Sequence, residues 1–212
     1  MKTNKEEIML IALKLFAERG FEAVSTSMIA GEIGITKGAL YRHFKSKQEI
    51  YDSIIAKMFE QDEKQADDNG VPVKEYEDDA ESYGRTSLAN LCEFVNSQYI
   101  YWTEDEFAVA FRRMITLAQF KNDEMNKLYQ DVLVSGPVKY SEDLFSEMIK
   151  TGKLNAEAKK TGAKNLALQL YAPLLLSVQM FDAGEKNSDE IKENLRAITD
   201  DFAKRWGKNK AE

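Results

Sequence analysis

Gly34 is the residue that most restricts what the N-terminal part of this chain can fold into, because it separates two short segments that each read as a helix. Upstream, Ser25 or Thr26 is placed to cap a helix running through Met28, Ile29, Ala30 and Ile33. Downstream, Thr36 is placed to cap a second helix over residues 37–44. Two short helices joined by a glycine-containing turn form the helix-turn-helix pattern. Ile29, Ala30, Ile33, Ile35, Leu40 and Phe44 fit its small core, and Ala30 is small where the helices must approach closely. A longer helix precedes the pair, with Ile8, Ile11, Ala12, Leu15 and Phe16 at helical spacing and Gly20 placed to end it. Another follows. Ser46 opens it with Glu49 three residues on, a capping-box spacing, and its stripe is Ile50, Ile54, Ile55, Met58 and Phe59.

The faces left over in this region bear Thr36, Lys37, Gly38, Tyr41, Arg42, His43 and Lys47. These are donors, cations and aromatics, the types suited to phosphates and base edges. The N-terminus of the 37–44 helix also turns free backbone N–H groups outward, where a phosphate can accept from them. The chain carries a formal net charge of −7, which read globally argues against a polyanionic partner. The charge is unevenly placed. Residues 1–47 hold eight Lys/Arg against five Asp/Glu, and the remainder holds 21 against 31. Residues 33–47 contain Lys37, Arg42, Lys45 and Lys47 and no acid, so an acidic body carries one basic segment suited to a local polyanion site.

With three prolines and eleven glycines in 212 residues, long stretches are free to be helical, and an all-α chain is expected. Helices are read over residues 86–102, 105–119, 123–151, 163–182 and 189–207, with Gly136-Pro137 kinking or splitting the third. The acidic stretch 66–81 reads as a linker. The single cysteine, Cys92, allows no intrachain disulfide and fits a reducing cytoplasm, and its apolar stripe makes it a buried structural residue. No signal peptide and no membrane span is expected. His43, the only histidine, lies between Arg42 and Phe44 with no cysteine or carboxylate at ligand spacing, so neither a triad nor a metal site is expected there. Arg112-Arg113, on an otherwise apolar helix, reads as a solvated face or an ion pair. No catalytic constellation, cofactor or metal is expected anywhere in the chain.

The block GITKGALYRHFKSK (residues 34–47), together with Gly20-Phe21, Thr26 and Ile29-Ala30, resembles the TetR family of transcriptional repressors over about a quarter of the chain. The resemblance implies a helical DNA-binding domain at residues 1–47 and a ligand-sensing and dimerisation domain at 48–212, with the fourth helix (47–65) as connector. It implies that the third helix enters the major groove, that Tyr41 and Lys47 meet phosphates, and that Thr26, Thr36, Lys37, Gly38 and His43 contact DNA. Ser27 and Arg42, at positions variable in the family, are the candidates for base readout. The partners so implied are a double-stranded DNA operator, a second copy of the chain and a small-molecule inducer, with no membrane. The alternative from another class is a helical ligand-binding or scaffold protein whose basic N-terminus is incidental.

The residues themselves support two further expectations. The 163–182 segment is apolar nearly all round, so something must cover a second face. The 189–207 segment carries a cleaner stripe, and in the family these two helices build a four-helix bundle with the partner. Leu174, Val178, Phe181, Leu195, Ile198 and Phe202 are therefore expected at a homodimer interface. Large adaptable side chains concentrate in the middle of the chain, and Tyr99, Trp102, Phe107, Phe111, Met114, Tyr129, Tyr140 and Tyr171 are expected to line a partly apolar ligand pocket.

Overall fold

The computed structural model describes residues 4–184 and 188–208, and every regular element among them is a helix. The order is α1 (Lys5–Arg19), α2 (Thr26–Ile33), α3 (Lys37–Leu40), α4 (Lys47–Asp68), α5 (Tyr76–Arg85) and α6 (Leu88–Glu104). It continues with α7 (Glu106–Ala118), α8 (Asp123–Leu133), α9 (Ser135–Lys150), α10 (Ala156–Thr161), α11 (Ala163–Asp182) and α12 (Ser188–Trp206). An isolated antiparallel bridge joins Leu154 and Gly207. Among the described residues no helix is long and apolar enough to cross a membrane.

The chain divides into two compact units, residues 1–62 with 104–129 and residues 63–103 with 130–212. In the first unit α1 packs against α2 and α7, and α2 against α3. The buried faces are Ile8, Ala12, Leu13 and Phe16 of α1, Ile29 and Ala30 of α2, Leu40, Phe44, and Ile50 and Ile54 of α4. Phe16, Phe21 and Tyr51 form a ring cluster with centroids 5.0–6.2 Å apart. The Tyr51 hydroxyl donates to Met125 Sδ at 3.1 Å, and burial, then the charges of Glu124 and Asp52, push its pKa up to about 12. Lys14 is paired with Glu106.

In the second unit α11 lies along α9 and α12, and α9 also packs on α5. α6 is joined to α12 by the Arg196–Glu93 ion pair at 2.9 Å and by the buried Asn96 amide, which donates to Thr199 Oγ1 at 3.0 Å. Gly136-Pro137 splits the 123–151 segment into α8 and α9. Pro137 falls in the first turn of α9, where its missing N–H costs no helical bond. Gly136 is required by close approach, since a Cβ there would lie 1.8 Å from the Asp131 carbonyl oxygen.

The 66–81 stretch is not a linker. α4 continues to Asp68 and α5 begins at Tyr76, leaving only a short turn between them. Tyrosines at the ends of hydrogen bonds, rather than an apolar stripe, hold this region. Tyr83 donates to the Lys74 carbonyl, Tyr140 to that of Pro72, and Tyr76 to the buried Glu147 carboxylate at 2.5 Å. The short α10 is not signalled by an apolar stripe in the sequence. It is capped by Asn155, whose side chain accepts from Ala158 N.

Candidate nucleic-acid interface

The turn between α2 and α3 is built as a Schellman motif. Gly34 takes the left-handed conformation (φ 78°, ψ 27°), its N–H donates to Gly31 O, and the N–H of Ile35 donates to Ala30 O at 2.9 Å. A residue with a Cβ is strained in that conformation, which explains a glycine at 34. The caps are the ones expected. Ser25 Oγ accepts from Met28 N, and Thr36 Oγ1 accepts from Ala39 N at 3.1 Å. α3 is regular only over four residues, not over 37–44. After Leu40 the chain tightens into shorter bonds, with Arg42 N donating to Ala39 O and His43 N to Leu40 O. Of the expected core, Ile29, Ala30, Leu40 and Phe44 are fully buried, while Ile33 and Ile35 are half-buried.

Over this core the candidate DNA residues sort by exposure. Ser27, Thr36, Lys37, Gly38, Tyr41 and Arg42 are exposed, and Thr26, His43 and Lys47 are half-buried. Tyr41, 43% exposed, has its hydroxyl 3.3 Å from Thr26 Oγ1 and the Lys37 ammonium 5.7 Å from its ring centroid. Lys47 Nζ donates to the Phe21 carbonyl at 2.7 Å and sits 4.0 Å from the Phe21 ring centroid, which commits one of its three donors. At Gly38 a Cβ would meet only Thr36 Oγ1, at 4.0 Å, so packing within the chain does not call for a glycine there. The start of α4 is fixed by a reciprocal pair: Glu49 N donates to Ser46 Oγ, and Lys45 N donates to the Glu49 carboxylate at 2.5 Å. Glu49 thus caps Lys45 rather than Ser46, one residue earlier than in the usual box. This also turns the nearest carboxylate toward the backbone.

The model of bacterial regulatory proteins of the tetR family matches residues 8–54, which are α1, α2, the turn, α3 and the start of α4. Over residues 8–54 the chain is thus similar to the tetR family of bacterial regulatory proteins. Its sequence is 48% identical across 50 residues to the uncharacterized HTH-type transcriptional regulator YerO of Bacillus subtilis. That match spans 24% of this chain and 17% of YerO. It is 51% identical across 49 residues to an HTH-type transcriptional regulator of Staphylococcus aureus strain USA300, spanning 23% of this chain and 26% of that one. The likeness to these relatives therefore covers about a quarter or less of either protein.

The fold likeness extends much further. SmeT, the repressor of the Stenotrophomonas maltophilia multidrug efflux pump SmeDEF, superposes in its triclosan complex with a TM-score of 0.68, over 98% of this chain and 93% of SmeT, at 18% identity. The ketosteroid regulator KstR2 of Mycobacterium tuberculosis superposes with a TM-score of 0.64 over 99% and 97%, at 16% identity. At such identities the likeness establishes the helical architecture of both parts and nothing about their ligands.

Tyr99, Trp102, Phe107, Phe111 and Met114 are buried, and Tyr129, Tyr140 and Tyr171 are half-buried. The Tyr140 and Tyr171 hydroxyls already donate to the carbonyls of Pro72 (2.8 Å) and Leu133 (2.7 Å). An open cleft of about 370 Å³ in the second unit is lined by residues of 67–90, among them Asp67, Lys74, Asp79, Arg85 and Asn90, and by none of those eight. The cleft is not legible in the sequence, because its walls mix charged, polar and apolar loop and helix-end residues without periodicity. Arg113 is exposed, but Arg112 is 1% exposed, so the adjacent pair does not form one solvated face. Of the residues expected to face a partner, Leu174, Val178, Leu195 and Phe202 are buried within the single chain, where α11 and α12 pack. Phe181 is half-buried, and Ile198 is exposed together with Leu168 and Leu176.

Proposed function

We propose that this protein is a cytoplasmic transcriptional repressor that binds a near-palindromic operator as a homodimer and is released from it by a small-molecule inducer. The observation that carries the reading is the outward surface of α3 and its turns. There Thr36, Lys37, Gly38, Tyr41 and Arg42 are all exposed within an acid-free stretch from 33 to 47, above a core that is buried beneath them. A surface of this kind suits phosphates and the major groove. Tyr41, Lys37 and Lys47 hold phosphates, and Thr26, Thr36, Gly38 and His43 complete the backbone and groove contacts. Ser27 and Arg42 read base edges. Gly38, open on the solvent side, lets a phosphate approach the helix start closely.

Residues 1–47 act as the DNA-binding module, the fourth helix as connector, and the rest of the chain as sensor and dimerisation domain. The exposed apolar residues Leu168 and Leu176 of α11 and Ile198 of α12 support the dimer, because such side chains gain by being covered. The SmeT–triclosan complex supports a small-molecule sensor role for this architecture. A ligand that lowers DNA affinity 100-fold must prefer the non-binding arrangement by about 2.7 kcal/mol. The test is a gel shift against DNA flanking the protein's own gene across a salt series. A specific complex whose affinity falls steeply with salt is expected. The absence of a salt-sensitive shift would return the chain to the scaffold alternative.

A further inference from the structure

α6 satisfies its buried polar side chains at most positions. Asn96 donates to the Cys92 carbonyl and to Thr199 Oγ1, both at 3.0 Å, and Thr103 Oγ1 donates to the Tyr99 carbonyl at 2.7 Å. Two consecutive residues break the pattern. Gln98 is 7% exposed and Tyr99 is 0% exposed, yet Gln98 Nε2 and the Tyr99 hydroxyl have no hydrogen-bond partner among the described residues. A buried polar atom left unbonded destabilises the fold, and native proteins leave few of them. Their positions are related. Val95 and Trp102, buried, lie one helical turn before and one turn after both residues, so the two polar atoms rise from one apolar stretch of α6.

We infer that Gln98 and Tyr99 form the polar recognition pair of the sensor site, taking an amphipathic ligand with a hydroxyl or carbonyl at the end of an apolar, ring-sized body. The inference rests on the reading of residues 48–212 as a small-molecule sensor. The chemistry follows from the atoms. An amide nitrogen only donates, so the ligand must offer it an acceptor, while the phenol can donate or accept. A hydroxyl answers both at once, accepting from Gln98 Nε2 and donating to Tyr99 Oη, and a carbonyl oxygen accepts from both. The body of the ligand lies on the apolar surface that Val95 and Trp102 contribute. A purely apolar guest fills the same space but leaves both polar atoms unbonded, so the site discriminates by the polar group rather than by size.

The test uses 1-naphthol and naphthalene, which share a body and differ by one hydroxyl, with the full-length chain, Gln98→Met and Tyr99→Phe. In the ligand-free state both variants are expected to melt about 2–4 °C higher than the native chain, because each removes an unbonded polar atom at nearly constant volume. By calorimetry the native chain is expected to bind 1-naphthol at least about tenfold more tightly than naphthalene, and the double variant to lose that preference to about twofold while still binding naphthalene. A preference that survives in the double variant, variants that melt lower than the native chain, or a native chain that binds neither compound would each overturn the assignment. The gel shift of the native chain and the variants reports separately on the regulator reading. If the native chain binds no DNA, that reading fails. If DNA binding persists while the naphthol preference is absent, only the polar pair fails.

Discussion

The side-chain oxygens of Thr26 and Tyr41 lie 3.3 Å apart, tying the first residue of α2 to the residue that closes α3. The bond fixes the Tyr41 ring in place while leaving 43% of the residue exposed, with the Lys37 ammonium over its face. An aromatic held in this way arrives at a phosphate with little rotamer freedom left to lose.

Tyr41→Phe removes the tie and the outward hydroxyl but keeps the ring. It is expected to lower stability by about 0.5–1.5 kcal/mol and to weaken operator binding less than Tyr41→Ala does. Urea unfolding and gel shifts on the two variants check the order. Equal DNA affinity in the native chain and Tyr41→Ala would remove Tyr41 from the interface.

Lys37 and Arg42 are both exposed and cationic, but they are assigned different work. Lys37→Ala is expected to weaken binding to all sequences alike and to reduce the slope of log affinity against log salt by about one. Arg42→Ala is expected to change which sequences are selected from a random pool, at about 1–3 kcal/mol for the base it reads. A Lys37→Ala slope equal to that of the native chain would show that the ammonium does not displace a counterion.

The helix-turn-helix was legible because each of its constraints is local. Gly34 must be left-handed, Ser25 and Thr36 each cap the helix that follows, and Ile29, Ala30, Leu40 and Phe44 recur at spacings that one small core explains. The α8–α9 split was legible for the same reason, from Gly136-Pro137. What the sequence hid depends on distant partners. α5 reads as a linker because tyrosine hydroxyls reaching the Lys74 carbonyl and Glu147 hold it in place of an apolar stripe. The buried and exposed faces of α11 could not be told apart, since Leu174 and Leu176 are the same residue type and only the packing of α9 and α12 decides which is covered. Tyr99 was legible as a pocket candidate, but the unmet hydrogen bonds of α6 were not: a glutamine beside a tyrosine says nothing about hydrogen bonds unmade.

Two glycines are expected to resist substitution for different reasons. Gly34→Ala forces a Cβ into a left-handed residue and is expected to cost about 1 kcal/mol, with Gly34→Asn milder. Gly136→Ala places a Cβ against the Asp131 carbonyl, a backbone atom that cannot move without disturbing α8, and is expected to lower the melting temperature further. Thermal unfolding of the three variants gives the ranking. A Gly136→Ala protein as stable as the native chain would contradict the close approach.

Burial, followed by the charges of Asp200 and Glu93, pushes the Cys92 thiol up from 9.0 to about 12. In the unfolded chain the thiol ionises near 9, so folding favours the protonated form. That contribution is complete below pH 9 and is lost as pH rises through the folded value. Iodoacetamide at pH 8 is therefore expected to label the native chain slowly and the urea-unfolded chain rapidly. The fall in stability between pH 9 and 11 should be shallower in Cys92→Ala than in the native chain. Fast labelling of the folded protein would show the thiol to be accessible.

α11 and α12 separate side chains that cover the chain's own core from side chains free to cover a partner. Leu195 and Leu174 are buried in one chain, whereas Leu176 is 61% exposed, Leu168 45% and Ile198 46%. Leu195→Ala removes buried methyl groups and leaves a cavity, so it is expected to cost about 2–5 kcal/mol of stability whatever the oligomeric state. Leu176→Glu and Ile198→Glu alter exposed positions of the single chain and are expected to leave its helicity intact. In a homodimer, however, the same carboxylates would meet their own copies across a two-fold axis, or lie buried without a partner. Light scattering at micromolar concentration is expected to report a dimer for the native chain and for Leu195→Ala below its melting temperature, and a monomer for the Leu176→Glu/Ile198→Glu double variant. That monomer should also bind operator DNA far more weakly, since it presents one recognition helix in place of two. A double variant that stays dimeric would move the interface away from this face of α11 and α12, and a native chain that is monomeric would remove the dimer.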